Sequence, residues 1–266
     1  TDDSKNINDN IDSEITLKNN SYSIDNGKPL IKSSGIKISS AADSQSSSVA
    51  NVAIVKYVIG SVVAFQGDGN APNAATSDGG SGAYKFVPNN ILTTGTWRFI
   101  AGTTLDVGAT GVSTQHNTHI EKYGNGANPI ITGTSVNLVN SNTAINISLS
   151  DIDIVRSGGV SGTGFNGSQT NGTILLRCTF TGSSNNVDAN NATELTVDTC
   201  TFNGGAGSYG INTYSTTMNL TNWKIISNTF NTAIGINLQL SSPTNTAGSY
   251  TGLVISGNKF NASLSS

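Results

Sequence analysis

Acid–base chemistry has few places to sit in this sequence. His116 and His119 are its two histidines, with Glu121 close behind, and the trio has the residue types of an acid, a base or a metal ligand. They stand at the edge of the least regular region, which argues for a structural role. Asp151 and Asp153 lie two residues apart and share a face on an extended strand, a spacing open to a catalytic carboxylate pair. Asp188 stands alone, and Glu194 and Asp198 read as surface charges flanking one strand. Lyases often use Lys or Arg as base, with cations to neutralise a uronate. Here Lys224 and Lys259 are isolated, and no Asp cluster suited to calcium accompanies them. Asp68 and Asp78 fall in a Gly-, Asp- and Asn-rich stretch at 67–82, better read as a flexible turn than as a calcium loop. The two cysteines, Cys178 and Cys200, have no third or fourth ligand nearby, so no metal site is expected. On this reading no catalytic residue is assigned, no cofactor is implied, and the chain leans away from being an enzyme.

The elements that position these residues form a repeat. Five segments align without gaps, at 147–154, 173–180, 195–202, 223–230 and 253–260. Each reads apolar-x-apolar, two mostly polar residues, Asn or Cys, a polar residue, then Phe; the first departs, with Ile152 and Ile154 at the last two marked positions. Their final residues lie 26, 22, 28 and 30 positions apart. A second column, Val139, Phe165, Val187, Ile211 and Ile236, keeps step at intervals of 26, 22, 24 and 25. Two columns in register with unequal spacers predict an all-β, right-handed, single-stranded parallel β-helix with 22–30-residue coils. A sandwich would instead carry hairpin turn signals. Further strands are expected at 36–38, 85–87, 97–100 and 119–122. The chain thus divides into a polar tail at 1–14, a less regular β-rich part at 15–96 and the β-helix proper at 97–266.

This register gives several residues a place. Cys178, Cys200, Asn228 and Asn258 occupy one buried turn position, where stacked side chains can satisfy turn backbone groups as a ladder. One coil step lies within disulfide reach, but parallel side chains give a poor torsion, so Cys178 and Cys200 are either a disulfide or, the favoured reading, a stacked reduced pair. Arg177 falls over Asp151, which makes a salt bridge the expected role of that acid. Following the second column come Asn140, Asn166, Asp188, Asn212 and Asn237, and two residues further on Asn142, Ser168, Asn190, Tyr214 and Gln239. Such amides with one aromatic ring suit sugar hydroxyls and a sugar face. The candidate glycan contacts are therefore Asn166, Asp188, Asn190, Asn212, Tyr214, Asn237 and Gln239, against the plainer reading of solvated strand residues. Thr179, Thr201 and Thr229 form an outward row too short for an ice-binding face.

Composition narrows the classes. Only 11% of residues are charged and the net charge is −3, which argues against a nucleic-acid partner. The most apolar stretch, 49–65, is broken by Asn51, Lys56, Gly60 and Ser61, so no membrane span is expected. Short polar side chains on an all-β frame favour an extracellular, cell-surface or virion-surface location.

The run from Ile120 to Gly133 contains Tyr123-Gly124-Asn-Gly126-Ala-Asn-Pro129-Ile-Ile-Thr-Gly133. It resembles the Tyr-Gly-x-Gly-x-x-Pro-x-Ile-x-Gly phrase of the pectate-lyase-like superfamily, which includes phage tailspikes, polysaccharide lyases and surface adhesins. The Asn-x-Phe coils resemble that superfamily too, and the resemblance spans 97 to the end. Gly67-Asp68-Gly69 and Phe86-Val87-Pro88 resemble the opening of tailspike-type β-helices, without the helix-forming stretch usual between them. The resemblance implies a fold more than an activity. Three functions are expected from it: a structural or adhesive subunit, a glycan-binding receptor protein of tailspike type, and a polysaccharide-degrading lyase or hydrolase. The last coil ends near Phe260 without a cap, which puts the first reading ahead. It predicts contacts from 241–266 or 1–14 to copies of the chain or to other surface or virion subunits.

Overall fold

The computed structural model describes residues 24–25, 28–29, 55–60, 83–158, 161–215, 220–240 and 251–261. The expected tail, the strand at 36–38 and the Gly-rich stretch bearing Asp68 and Asp78 lie outside them. The chain divides into two units, Thr1–Ile54 and Val55–Ser266. Within the first, Ile24–Asp25 pairs antiparallel with Lys28–Pro29.

The second unit is a parallel β-solenoid of about six turns built from three parallel sheets. The first sheet has eight strands, from Val55–Val58 and Gly95–Ile100 through Thr118–Tyr123, Ile145–Ser150, Asn171–Leu176, Thr196–Asp198 and Lys224–Ile226 to Val254–Ser256. The second has seven, from Thr104–Asp106 to Lys259–Phe260, and the third seven, from Ile91–Leu92 to Ile234–Leu240. Within each sheet the strands follow in chain order, so every coil lies on the one before it. Among the described residues there is no α-helix, only a 3-10 turn at Pro88–Asn90. The strands expected at 97–100 and 119–122 are present. At 85–87 there is none: the segment makes one bridge, Tyr84 to Val58, and then enters the 3-10 turn at Pro88.

Alternation explains the core. In the first sheet Ile147, Leu149, Leu175, Val197, Trp223 and Ile225 point inward and are buried, while the residues between them face out. The second column fills the third sheet's inner face with Val139, Phe165, Val187 and Ile211. In the second sheet Phe180, Phe202, Phe230 and Phe260 stack with ring centroids 5.2, 4.8 and 4.9 Å apart and planes within 7° of parallel. Glycines in the third sheet make room for these rings. A Cβ at Gly210 would lie 2.4 Å from Phe230 Cδ1, and one at Gly235 2.5 Å from Phe260 Cδ1.

Five successive corners between the first two sheets, at 151, 177, 199, 227 and 257, share one construction. Asp151, Arg177, Thr199, Ser227 and Gly257 all adopt left-handed backbone, with φ from 51 to 64°. That conformation costs about 1–2 kcal/mol for a residue with a Cβ. In the last four of these coils the next residue is the ladder position, Cys178, Cys200, Asn228 or Asn258, and its side chain bonds the turn; in the first, Ile152 stands there. Cys200 donates its N–H to Asn228 Oδ1 at 2.8 Å, and Asn228 donates its own to Asn258 Oδ1 at 2.9 Å. Asn228 Nδ2 returns a bond to Val197 O at 2.9 Å and Asn258 Nδ2 to Ile225 O at 2.8 Å. The thiols keep the same pattern more loosely: Cys178 N to Cys200 Sγ is 3.4 Å, and Cys200 Sγ to Leu175 O is 3.5 Å. Both thiols are free and buried. Burial pushes the Cys178 thiol well above its ordinary pKa, and the bond to Cys200 adds to the shift.

Candidate functional site

On the outer side of the third sheet, Asn140, Asn166, Asp188, Asn212 and Asn237 stand in one row, paired coil to coil. Their side chains are committed to the protein itself. Asn166 Nδ2 donates to Asn140 Oδ1 at 3.0 Å, and Asn237 Nδ2 to Asn212 Oδ1 at 2.7 Å. The strands of Asn166 and Asp188 then end in a turn held by the same side chains: Ser168 N–H donates to Asn166 Oδ1 at 3.1 Å and Asn190 N–H to Asp188 Oδ1 at 3.4 Å, whereas those of Asn212 and Asn237 run on to Ser215 and Leu240. Asn212 is buried. In the next row Asn190 Oδ1 accepts the Tyr214 N–H. What faces outward is the Tyr214 ring, 51% exposed, with Gln239 beside it on the neighbouring coil.

Asp188 interrupts the amide row. Burial raises its pKa, opposed by the Asn190 N–H and the Ser168 hydroxyl. A carboxylate accepts but cannot donate, so the ladder bond from coil to coil that Asn166 makes is one Asp188 cannot repeat when ionised.

A second cluster lies on the outer side of the first sheet. Arg98 sits between Tyr57 and Glu121 on adjacent strands, with Nε donating to Glu121 Oε1 at 2.7 Å and Nη1 to the Tyr57 hydroxyl at 3.0 Å. Tyr57 meets Tyr123 edge to face at 5.0 Å. The bonds to Glu121 and Tyr57 raise the Arg98 pKa. His119 Nδ1 lies 2.9 Å from Ser148 Oγ. His116, on the loop before that strand, accepts the Ile145 N–H at 3.0 Å through Nδ1. Glu121 is therefore bound to Arg98 rather than to a histidine.

Asp151 accepts both Nε and Nη2 of Arg177, at 2.8 and 2.6 Å, and that bonding lowers its pKa. Asp153 accepts from Asn128 Nδ2 at 3.0 Å, and Lys122 donates to Asn128 Oδ1 at 3.2 Å. The two acids thus belong to separate bonded groups. Among the described residues no three His, Cys, Asp or Glu side chains gather as a metal shell. No helix there is long and apolar enough to cross a membrane.

Sequence reasoning missed two features. The Arg98 cluster was signalled by Trp97-Arg-Phe99 and Ile120-Glu-Lys, which pair in register. A further amide ladder, Thr181, Asn203, Asn231 and Asn261, runs along the second sheet with Asn231 and Asn261 bonds of 2.8 Å. Its signal was the residue following each Phe. Fold and surface together define a parallel β-solenoid whose outer amides bond mainly to one another. Compared with family models, curated proteins and solved structures, the chain matches none.

Proposed function

We propose that this chain is a structural or adhesive solenoid of the right-handed, pectate-lyase-like type, acting outside the cell or on a virion surface as an assembling subunit. One observation carries the reading: polar side chains bond from coil to coil along the stack, at Asn140–Asn166 and Asn212–Asn237 on the third sheet, Asn203–Asn231–Asn261 on the second and Cys200–Asn228–Asn258 at the corner. Amides that bond one another in this way support a stiff scaffold rather than a ligand site. The test is light scattering of the purified chain from low to high concentration, with electron microscopy of the material. Assembly is expected; a monodisperse monomer at every concentration overturns the reading.

A glycan-binding role of tailspike type is favoured by a different observation, the exposed Tyr214 ring flanked by Asn190 and Gln239 on adjoining coils. A glycan array scored against Tyr214→Ala tests it, because loss of a stacking ring removes binding without touching the core. A polysaccharide-degrading role would release reducing ends or new double bonds from a polysaccharide panel. Its acids would have to come from Asp188 and a second chain.

A further inference from the structure

Where the third sheet turns into the first, three successive coils leave a cleft of about 340 Å³ between them, lined chiefly by Thr94, Thr114, Gln115, His116, Asn142 and Thr143. We infer that this cleft binds a small oxyanion, a sulfate, phosphate or carboxylate group, through neutral N–H and O–H donors.

Its polarity follows from bonds already made. Gln115 Oε1 accepts the Thr94 N–H at 3.4 Å, which leaves Nε2 to donate. His116 Nδ1 accepts the Ile145 N–H at 3.0 Å, so in the neutral ring the proton sits on Nε2, the nitrogen left for a ligand. Backbone N–H groups thus consume both side-chain acceptors, and what remains of each residue is a donor. Among the described residues no partner holds the Asn142 carboxamide or the Thr143 hydroxyl, which add two more donors. The Thr94 and Thr114 hydroxyls donate to His116 O and Ser141 Oγ, both at 2.8 Å, and hold the wall in place.

Charge points the same way. No lining residue is acidic, and Glu121, five residues beyond His116, is bonded to Arg98. A hard cation needs carboxylate oxygens, which the cleft lacks. An oxyanion needs donors, and its hydrogen bonds to neutral N–H and O–H groups are charge-assisted. With Nδ1 committed to Ile145 and no carboxylate behind the ring, His116 serves binding rather than proton transfer.

The cleft also lies where the repeat is broken. Val139 pairs with Val112 and Asn140 with Ser113, and continuing that register sets Asn142 over Gln115 and Thr143 over His116. The same column runs on through Gln169 and Asn191. A histidine therefore opens a column otherwise of Thr, Gln and Asn, and its ring nitrogen takes a backbone N–H from the coil above it.

The test is proton–nitrogen NMR of the full chain titrated with inorganic sulfate, inorganic phosphate and acetate, with chloride holding the ionic strength constant. Saturable shifts should centre on the His116 Nε2–H and the Gln115 and Asn142 side-chain amides. His116→Phe should weaken binding about tenfold or more, the effect of losing a hydrogen bond to a charged group. His119→Phe, at a ring bonded to Ser148 on the sheet face, should leave binding unchanged. Should His116→Phe fail to fold, Asn142→Ala, at an exposed side chain, takes its place and should weaken binding too. Dextran sulfate against plain dextran separates a free ion from an ester carried on a polymer. Binding of either that is lost in His116→Phe supports the inference, and binding of the polymer alone names the ester as the ligand. Equal shifts with plain dextran, shifts with every probe that rise without saturating, or binding indifferent to both His116→Phe and Asn142→Ala overturn it.

Discussion

Replacing Asn228 isolates the energetics of the buried ladder. Asn228 is 1% exposed, its Oδ1 takes the Cys200 N–H, and its Nδ2 bonds Val197 O and Asn258 Oδ1. Asn228→Ala leaves the Cys200 N–H without a partner in a dry interior and removes the two bonds from Nδ2. The orphaned N–H costs about 1–3 kcal/mol and each lost bond about 0.5–1.5 kcal/mol, so the expected loss is about 2–6 kcal/mol. Asn228→Cys differs, because the ladder already uses sulfur at 178 and 200, with contacts of 3.4 to 3.6 Å. A thiol is a weaker donor and acceptor but does not orphan the Cys200 N–H, so its cost should be about 1 kcal/mol. Denaturant unfolding followed by the buried Trp97 and Trp223 reads the difference. Hydrogen exchange at the Cys200 amide reads it locally, which matters where coils can unfold one by one. If the Ala and Cys variants lie within about 0.5 kcal/mol of each other, the ladder contributes packing and not hydrogen bonding, and the reasoning fails.

Asp188→Asn should restore the donor missing from the outer amide row and stabilise the chain by about 1 kcal/mol near neutrality. The sign is set by burial: the folded-state pKa of Asp188 is raised, so its contribution is full below the unfolded value of about 3.9 and lost as pH rises through the folded one. The advantage of Asn over Asp should therefore grow from acid to neutral pH in urea titrations, and a constant difference would refute it. Gly210→Ala sets a Cβ 2.4 Å from Phe230 Cδ1 and should cost about 1–3 kcal/mol in thermal unfolding, whereas Gly205→Ala, with nothing within 4 Å, should be silent. Cys178 and Cys200 should resist alkylation in the folded chain and react on unfolding; rapid labelling of the native protein would contradict their burial. Arg177→Ala should cost under about 1 kcal/mol, because the guanidinium is half exposed and screened.

The fold was legible because it is written twice. The Phe column and the Val139–Ile236 column each recur at nearly matched intervals, and pairing such as Phe180 with Phe202 and Val187 with Ile211 follows that spacing. The bridge between Asp151 and Arg177 followed from the same alignment. At 85–87 the periodicity misled, because Pro88 turns the chain away from the sheet. The glycan-contact row was legible as a row but not as chemistry. Spacing puts Asn166, Asn212 and Asn237 on the outer side, while only geometry reveals that Asn140 and Asn212 accept from their neighbours along the row.

That difference bears on how function should be sought in such a chain. In a stacked coil, identical side chains recur about every 5 Å, within hydrogen-bonding reach of their own copies, so an Asn row satisfies itself before it meets a ligand. Repetition therefore points to scaffold, and departure from repetition points to what the scaffold is for. The departures here are the Asp at 188 in an amide row, the exposed Tyr214 ring in a row otherwise of Asn, Ser and Gln, and the Arg98 cluster on the outer side of the first sheet.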